Sequence, residues 1–173
     1  MVEQLRSLPH AVRILRKNQY LFHQGDVVTS MFLIEAGEAR LIRRHLDGRT
    51  VILQRALVGS VLAEASLFSE SYHCDAVANT RLTVRVIRRD QMKAMFENDK
   101  AFASVWASHL SDEVRQARLR AEILSLKTVS ERLDAWIADK GTMPAKGYWK
   151  TVAQDIGTSA EALYREIAAR RAR

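Results

Sequence analysis

The stretch Glu38-Ala-Arg-Leu-Ile-Arg-Arg44 alternates apolar and polar residues, and Arg81-Leu-Thr-Val-Arg-Val-Ile87 repeats the pattern further along the chain. Alternation with period two is typical of a β-strand that buries one face. Turn signals recur every 11 or 12 residues, at Gly25-Asp26, Gly37, Asp47-Gly48 and Gly59. This spacing predicts an antiparallel sandwich or barrel, with Asp47-Gly48 as its best hairpin turn.

The composition is that of a folded globular protein, because 47% of the 173 residues are hydrophobic and 27% are charged. The formal net charge of +7 would attract a polyanion such as nucleic acid. No continuous apolar stretch marks a secretory signal or a membrane span. The single cysteine, Cys74, excludes an internal disulfide framework and a cluster held by four thiolates of one chain. We therefore expect a cytoplasmic protein with no membrane partner.

A helical region is predicted from Asp90 to Lys140, which contains no glycine or proline and is rich in good helix formers. Within it, small and apolar residues recur at alternating steps of four and three, which predicts the seam of a two-stranded coiled coil. The seam consists of Ala103, Ala107, Leu110, Val114, Ala117, Ala121 and Leu124. We expect it to join two copies of the chain in a homodimer. The alternative is that this helix packs on its own barrel.

A short pair of helices follows the segment Gly141 to Gly147, which contains Pro144 and breaks the long helical region. The two helices are predicted at Lys150 to Ile156 and at Ser159 to about Arg171, separated only by Gly157-Thr158. A brief turn with glycine between two helices is typical of a helix-turn-helix. We expect three regions: a β-barrel at 1–96, a dimerisation helix with its extension at 97–140, and a helix-turn-helix segment at 141–173.

The order of these pieces, together with specific motifs, resembles the cyclic-AMP receptor protein and FNR family of bacterial regulators. The motifs are Leu21-Phe-His-Gln-Gly-Asp26, Met31-Phe-Leu-Ile-Glu-Ala-Gly-Glu38, the Gly59…Glu64…Leu67-Phe68 stretch, and Val152-Ala-Gln-Asp-Ile-Gly-Thr-Ser159 leading to Glu161 and Arg165. The resemblance implies an α+β fold in which a jelly-roll cyclic-nucleotide-binding-like domain precedes a long dimerisation helix and an all-α helix-turn-helix.

The resemblance also implies an effector pocket, but this chain departs from the family pattern there. The family's Gly-Glu and Arg-Ser pairs, which hold the ribose and the phosphate, correspond to Ala63-Glu64 and Cys74-Asp75. Asp75 beside a cyclic phosphate would cost roughly several kcal/mol, so cyclic AMP is not expected to bind in the usual manner. In the family, two positions of the dimer helix donate hydroxyls to the nucleotide, and they correspond here to Ala117 and Arg118. Arg118 is a candidate to replace the missing positive charge of the pocket. The effector is unidentified, with haem at His73-Cys74 as a minor option.

For the DNA-binding segment, the resemblance implies that Glu161 and Arg165 reach base edges in the major groove. Arginine can donate two hydrogen bonds to guanine, and glutamate can accept from cytosine. The predicted DNA-binding residues are Lys150, Ser159, Glu161, Tyr164, Arg165, Arg170 and Arg171. An alternative for Glu161 is a capping box with Thr158. Ala160 replaces the family's first base-contacting arginine, and no counterpart of the family's two-stranded wing is found up to Arg173.

These features predict a homodimeric, DNA-binding transcription regulator controlled by an effector, with double-stranded DNA and a second copy as partners and RNA polymerase as a further candidate. The alternative is a dimeric sensor or protein-binding module without sequence-specific DNA binding. An enzyme is not expected, because no nucleophile stands with a neighbouring base. A metal site is not expected either, because the histidines show no metal-ligand spacing.

Overall fold

The computed structural model describes residues 1–45, 48 and 50–172 of the chain. They form two compact units, Met1–Leu110 and Ser111–Arg173. Helix α3, Lys100–Ser125, contributes residues to both units. Within the described part of the chain, no helix is both long enough and apolar enough to cross a membrane.

The first unit begins with helix α1, Val2–Ser7, and continues as eight strands. The strands are β1 Ala11–Leu15, β2 Tyr20–Phe22, β3 Ser30–Ala36, β4 Ala39–Arg44, β5 Thr50–Ala56, β6 Val61–Leu62, β7 Asp75–Ala78 and β8 Leu82–Arg88. They pair antiparallel in two four-stranded sheets with the orders β1-β8-β3-β6 and β2-β7-β4-β5. The predicted fold class is confirmed, and both alternating stretches of the sequence are strands.

The hairpin between β3 and β4 depends on Gly37, which has a φ of +87°. A Cβ at this position would lie 2.1 Å from the backbone carbonyl oxygen of Arg81. The hairpin is held there by Glu38, whose N–H donates to Thr80 Oγ1 at 3.0 Å and whose carbonyl accepts from the Asn79 N–H at 2.8 Å. In the next hairpin Gly48 has a φ of +81°. The predicted Asp47-Gly48 turn otherwise lies outside the described residues.

The helical region predicted from 90 to 140 consists of three helices rather than one. They are α2 Arg89–Asn98, α3 Lys100–Ser125 and α4 Val129–Lys140. Asp99 starts α3, because its carboxylate accepts from the N–H groups of Ala101 and Phe102. Thr128 starts α4 through a capping box with Glu131. A capping residue satisfies free N–H groups of a new helix, so a helix can end and another begin without glycine or proline.

The second unit packs α4 against helices α5, Trp149–Asp155, and α6, Ala160–Arg171. Its core is formed by apolar side chains of these helices and of the end of α3, namely Ile123, Leu133, Trp136, Trp149, Val152, Ala153, Ile156, Leu163 and Ile167. Two arginines tie the unit together. Arg132 of α4 donates to the carbonyls of Leu126, Ile156 and Gly157. Arg170 of α6 bonds to α4, as described below.

Candidate effector pocket and nucleic-acid interface

Ala63 takes up a backbone conformation that normally belongs to glycine. Its φ is +68°, its side chain is buried, and a 3₁₀ turn, Glu64–Ser66, follows it directly. An alanine in the left-handed region costs roughly 1 to 2 kcal/mol. The chain therefore keeps a backbone conformation suited to glycine at the position where the family has glycine and this chain has alanine. Glu64, the predicted ribose-binding residue, is buried, with 6% of its surface exposed.

Cys74 lies in the core of the first unit and is 1% exposed. Burial, and then the negative charges of Glu64 and Asp75, raise the pKa of the thiol to about 11, although the positive charge of Arg43 opposes them. The thiol is therefore protonated and neutral near pH 7. It supplies no positive charge for a phosphate.

Asp75 does not share the inward face with Cys74. Ala76 and Ala78 point into the core, so Asp75 and Val77 lie on the other face of β7. The Asp75 carboxylate accepts from the backbone N–H of Gln24 at 2.8 Å and lies 3.5 Å from Nδ1 of His23. Its role in the structure is to hold the turn at Gln24. Asp75 therefore does not point at the inward side of β7, although its negative charge still acts on the neighbouring Cys74 thiol.

Arg43, which the sequence reasoning did not select, lies close to Cys74. One guanidinium nitrogen of Arg43 donates to the carbonyl oxygen of His73 at 2.7 Å. Burial and the Arg43 charge lower the pKa of His73, whose Nδ1 lies 3.2 Å from Ser66 Oγ. The signal that could have found Arg43 is its position two residues after the inward-facing Leu41, because alternate residues of a strand share a face.

The predicted dimer seam occupies a largely exposed face of α3. Ala103 and Leu110 are half-buried, whereas Ala107, Ala117 and Ala121 are exposed, as are Val114 at 47% and Leu124 at 38%. A different face of α3 packs on the first unit through Phe102 and Trp106, which are fully buried. Leu110 of the predicted seam also packs on this core, so packing on the barrel applies at Leu110, and dimerisation through the rest of the seam stays a prediction. Arg118 is exposed within the second unit.

The start of helix α6 brings together several predicted DNA-binding residues. Ser159 is the N-cap, because its hydroxyl oxygen accepts from the N–H of Ala162 at 3.1 Å. The cap predicted at Thr158 is therefore shifted by one residue, which makes Glu161 the second residue of the helix. Bonds from its own N–H and from the Ser159 hydroxyl lower the pKa of Glu161, and the charges of Lys150 and Arg165 lower it further.

The remaining predicted residues of α6 have different surroundings. Arg165 is exposed and Tyr164 half-buried, and the Tyr164 ring lies 5.4 Å from that of Trp149. Arg171 is exposed and stacks over the Trp149 ring at 5.4 Å. Arg170 instead pairs with Glu166 at 2.7 Å and Asp134 at 2.6 Å, and it also bonds to Ser130. These ion pairs neutralise the charge of Arg170 within the second unit.

Among the described residues, no group of three or more histidine, cysteine, aspartate or glutamate side chains could hold a metal ion. In the first unit, three polar residues lie around Cys74, namely Glu64, Arg43 and His73. The second unit presents an exposed set of charged groups at the start of α6, namely Lys150, Glu161 and Arg165. These two places are the candidate sites of the chain.

Comparisons with known proteins agree with this architecture. Two curated relatives are the "Cyclic AMP receptor protein" of Thermus thermophilus, 27% identical over 122 residues, and the "Transcriptional activator protein anr" of Pseudomonas aeruginosa, 25% identical over 141 residues. The alignments cover 70% and 80% of this chain, and the chain spans 56% and 58% of those relatives.

The fold is also found in the solved structure of FixK2 from Bradyrhizobium japonicum. That structure matches with a TM-score of 0.76 and 20% identity, and the match covers 94% of this chain and 84% of FixK2. Residues 12–99, just over half of the chain, match the family model described as "Cyclic nucleotide-binding domain". The chain therefore belongs to the cyclic nucleotide-binding domain family, and its resemblance to the cyclic-AMP receptor protein and FNR regulators is confirmed.

Proposed function

We propose that the chain is a homodimeric transcription regulator that binds double-stranded DNA through α6 and responds to an effector bound in its β-barrel. The observation that carries the proposal is the start of α6. There Glu161 and Arg165 are exposed on one face while Leu163 and Ile167 are buried on the other. Such a helix can enter a major groove without uncovering its own core. The relative described as a transcriptional activator supports the same function.

In this proposal Arg165 reads a base, and the exposed cations Lys150 and Arg171 contact phosphates. Arg165 has the free planar fork that pairs with guanine O6 and N7. Arg170 has no such role, because Glu166 and Asp134 already neutralise it. The predicted basic residues thus have three roles: Arg165 reads a base, Lys150 and Arg171 contact phosphates, and Arg170 stabilises the helix pair.

The seam on α3 supports the homodimer. Val114 and Leu124 are large apolar side chains that remain substantially exposed in the single chain, and their alternating spacing is that of two helices packed side by side. A twofold dimer places two recognition helices about one helical turn of DNA apart, roughly 34 Å. The preferred site is then a near-palindrome with half-sites at that separation.

The proposal is tested by selecting preferred sites from randomised DNA with the purified chain and then measuring the affinity of variants. Arg165→Ala is expected to lose about 1 to 3 kcal/mol on the selected site. Arg165→Lys is the matched control, because it keeps the charge and removes the planar fork. It is expected to retain affinity for random DNA and lose the preference at one base pair in each half-site.

Failure to select any sequence, or an unchanged preference in Arg165→Ala, would favour the alternative that the chain is a dimeric sensor without sequence-specific DNA binding. The sedimentation of the same preparation reports the oligomeric state independently of DNA. A dimer that binds no DNA and a monomer that binds DNA are therefore distinguishable results.

A further inference from the structure

Arg43 occupies an inward position of the β-barrel. Residues Ala39 and Leu41 of β4 lie in the core, and β4 pairs with β7 in an unbroken register from Ala39↔Ala78 to Ile42↔Asp75. Because residues of a strand alternate between faces, Arg43 points to the same side as Leu41. Continuing the register by one residue sets Arg43 opposite Cys74. Cross-strand neighbours of this kind lie about 5 Å apart.

The guanidinium of Arg43 has unmet hydrogen-bonding capacity inside the protein. Its Nη2 donates to the His73 carbonyl at 2.7 Å. Its Nε is buried, and no acceptor reaches it from the described part of the chain. A buried donor without a partner is unfavourable, and more so when the group is charged. The Nε–H is therefore available to an acceptor from outside the chain.

The positive charge of Arg43 favours an anion as that acceptor. The neighbouring thiol of Cys74 is protonated and brings no charge of its own. The carboxylate of Asp75 is held by the Gln24 N–H on the other face of β7. Glu64 is the acidic group of this cluster. Since Nη2 already donates to His73, the Nε–H is the donor that Arg43 offers to a carboxylate or a phosphate, as a charge-assisted hydrogen bond.

We infer that Arg43 is the anion-binding residue of the sensor and that its ligand is a small molecule with a phosphate or carboxylate group. The family resemblance places the phosphate-binding arginine at the position of Cys74; here the cation stands across the ladder, on β4. The inference rests on the proposed function only in treating this anion as the effector. The binding itself can be measured without DNA.

The test is a calorimetric titration of the intact chain with inorganic phosphate and with succinate at constant ionic strength. Arg43→Gln is compared with Arg40→Gln. Arg40 is a matched control because it lies on the same strand, also has a buried Nε without an acceptor, and pairs in register with Val77 on the opposite face. We expect at least one probe to bind the unchanged chain, Arg43→Gln to weaken it tenfold or more, and Arg40→Gln to change it less than twofold.

The inference is overturned if neither probe binds the unchanged chain, or if the two variants weaken binding equally. Should Arg43→Gln fail to fold, the unchanged chain labelled with ¹⁵N-arginine gives the answer. A shift of the Arg43 Nε resonance on adding the bound probe, with Arg40 unmoved, supports the site, and no shift refutes it. Loss of DNA binding alone would contradict the proposed function and leave the anion site standing.

Discussion

Replacement of Gly37 by alanine tests how the strand that bears Arg43 is held in place. The new Cβ would lie 2.1 Å from the Arg81 carbonyl oxygen, whereas ordinary contacts of a Cβ begin at 3.4 Å. The obstacle is backbone, so no side-chain rotation can relieve it. The hairpin must move by about 1 Å, and the two hydrogen bonds of Glu38 to Thr80 and Asn79 lie within the displaced segment.

The cost of Gly37→Ala can be assembled from these contacts. The positive φ of +87° costs an alanine roughly 1 to 2 kcal/mol. Losing two hydrogen bonds adds about 0.5 to 1.5 kcal/mol for each. We expect a total of about 2 to 5 kcal/mol. Gly59→Ala is the control, because Gly59 has the same φ of +87° and nothing within 4 Å of its Cβ position, so it should cost only the backbone component.

The assay is hydrogen exchange of the β8 amides in the full chain, followed by mass spectrometry over a urea series, which measures the opening free energy of the first unit separately from the second. Gly37→Ala should lower this free energy by at least 1 kcal/mol more than Gly59→Ala does. It should also weaken anion binding at Arg43, since β4 follows the hairpin directly. Equal losses in the two variants would refute the reasoning from the Arg81 contact.

Four further results are expected. Val114→Asp should weaken dimer association about 100-fold, as measured by sedimentation. Val105→Asp changes a valine of similar exposure that lies off the seam, and it should leave the dimer intact. Equal effects of the two variants would contradict dimerisation through the seam. Cys74 should react with iodoacetamide about 100-fold more slowly in the folded chain than in the unfolded chain, because its pKa rises from 9.0 to about 11. The free energy of unfolding should fall as the pH passes from about 9 to 11, since only the unfolded thiol then releases its proton. Rapid alkylation of the native chain would instead show an accessible thiolate. Ser159→Ala should destabilise the second unit by about 1 kcal/mol in thermal unfolding, and an unchanged midpoint would place the cap elsewhere. Arg171→Ala should reduce the salt dependence of DNA binding by about one unit without altering base preference; a changed preference would make this residue a base reader.

The barrel and the helix pair could be predicted from the sequence because their signals are local. Alternation from Glu38 to Arg44 reports one buried face, and the Gly157-Thr158 turn interrupts two apolar helical patterns. The division of the helical region at Asp99 and Thr128 escaped the sequence reasoning. That reasoning relied on glycine and proline as breaks, whereas these helices begin at side chains that accept from backbone N–H groups.

The candidate pocket was only half accessible to sequence reasoning. Ala63, Glu64 and Cys74 were found through the family resemblance, which carries over positions along the chain. Arg43 was not found, because its proximity to Cys74 arises from the pairing of β4 with β7. Asp75 was assigned to the pocket through the same resemblance, at the position of the family's serine, and the pleat turns consecutive residues such as Cys74 and Asp75 to opposite faces. Residues that are neighbours across a β-ladder can be identified only when the register of the two strands is known, and a single sequence does not reveal that register.

Arg170 and Arg132 connect the proposed recognition helix, α6, and the turn before it to α4. Arg170 joins α6 to Asp134 and Ser130 of α4, and Arg132 of α4 joins the turn at Ile156 and Gly157. The two arginines therefore hold α6 and the turn before it against α4. Under the proposed function, α4 and α6 would therefore meet DNA as one packed pair.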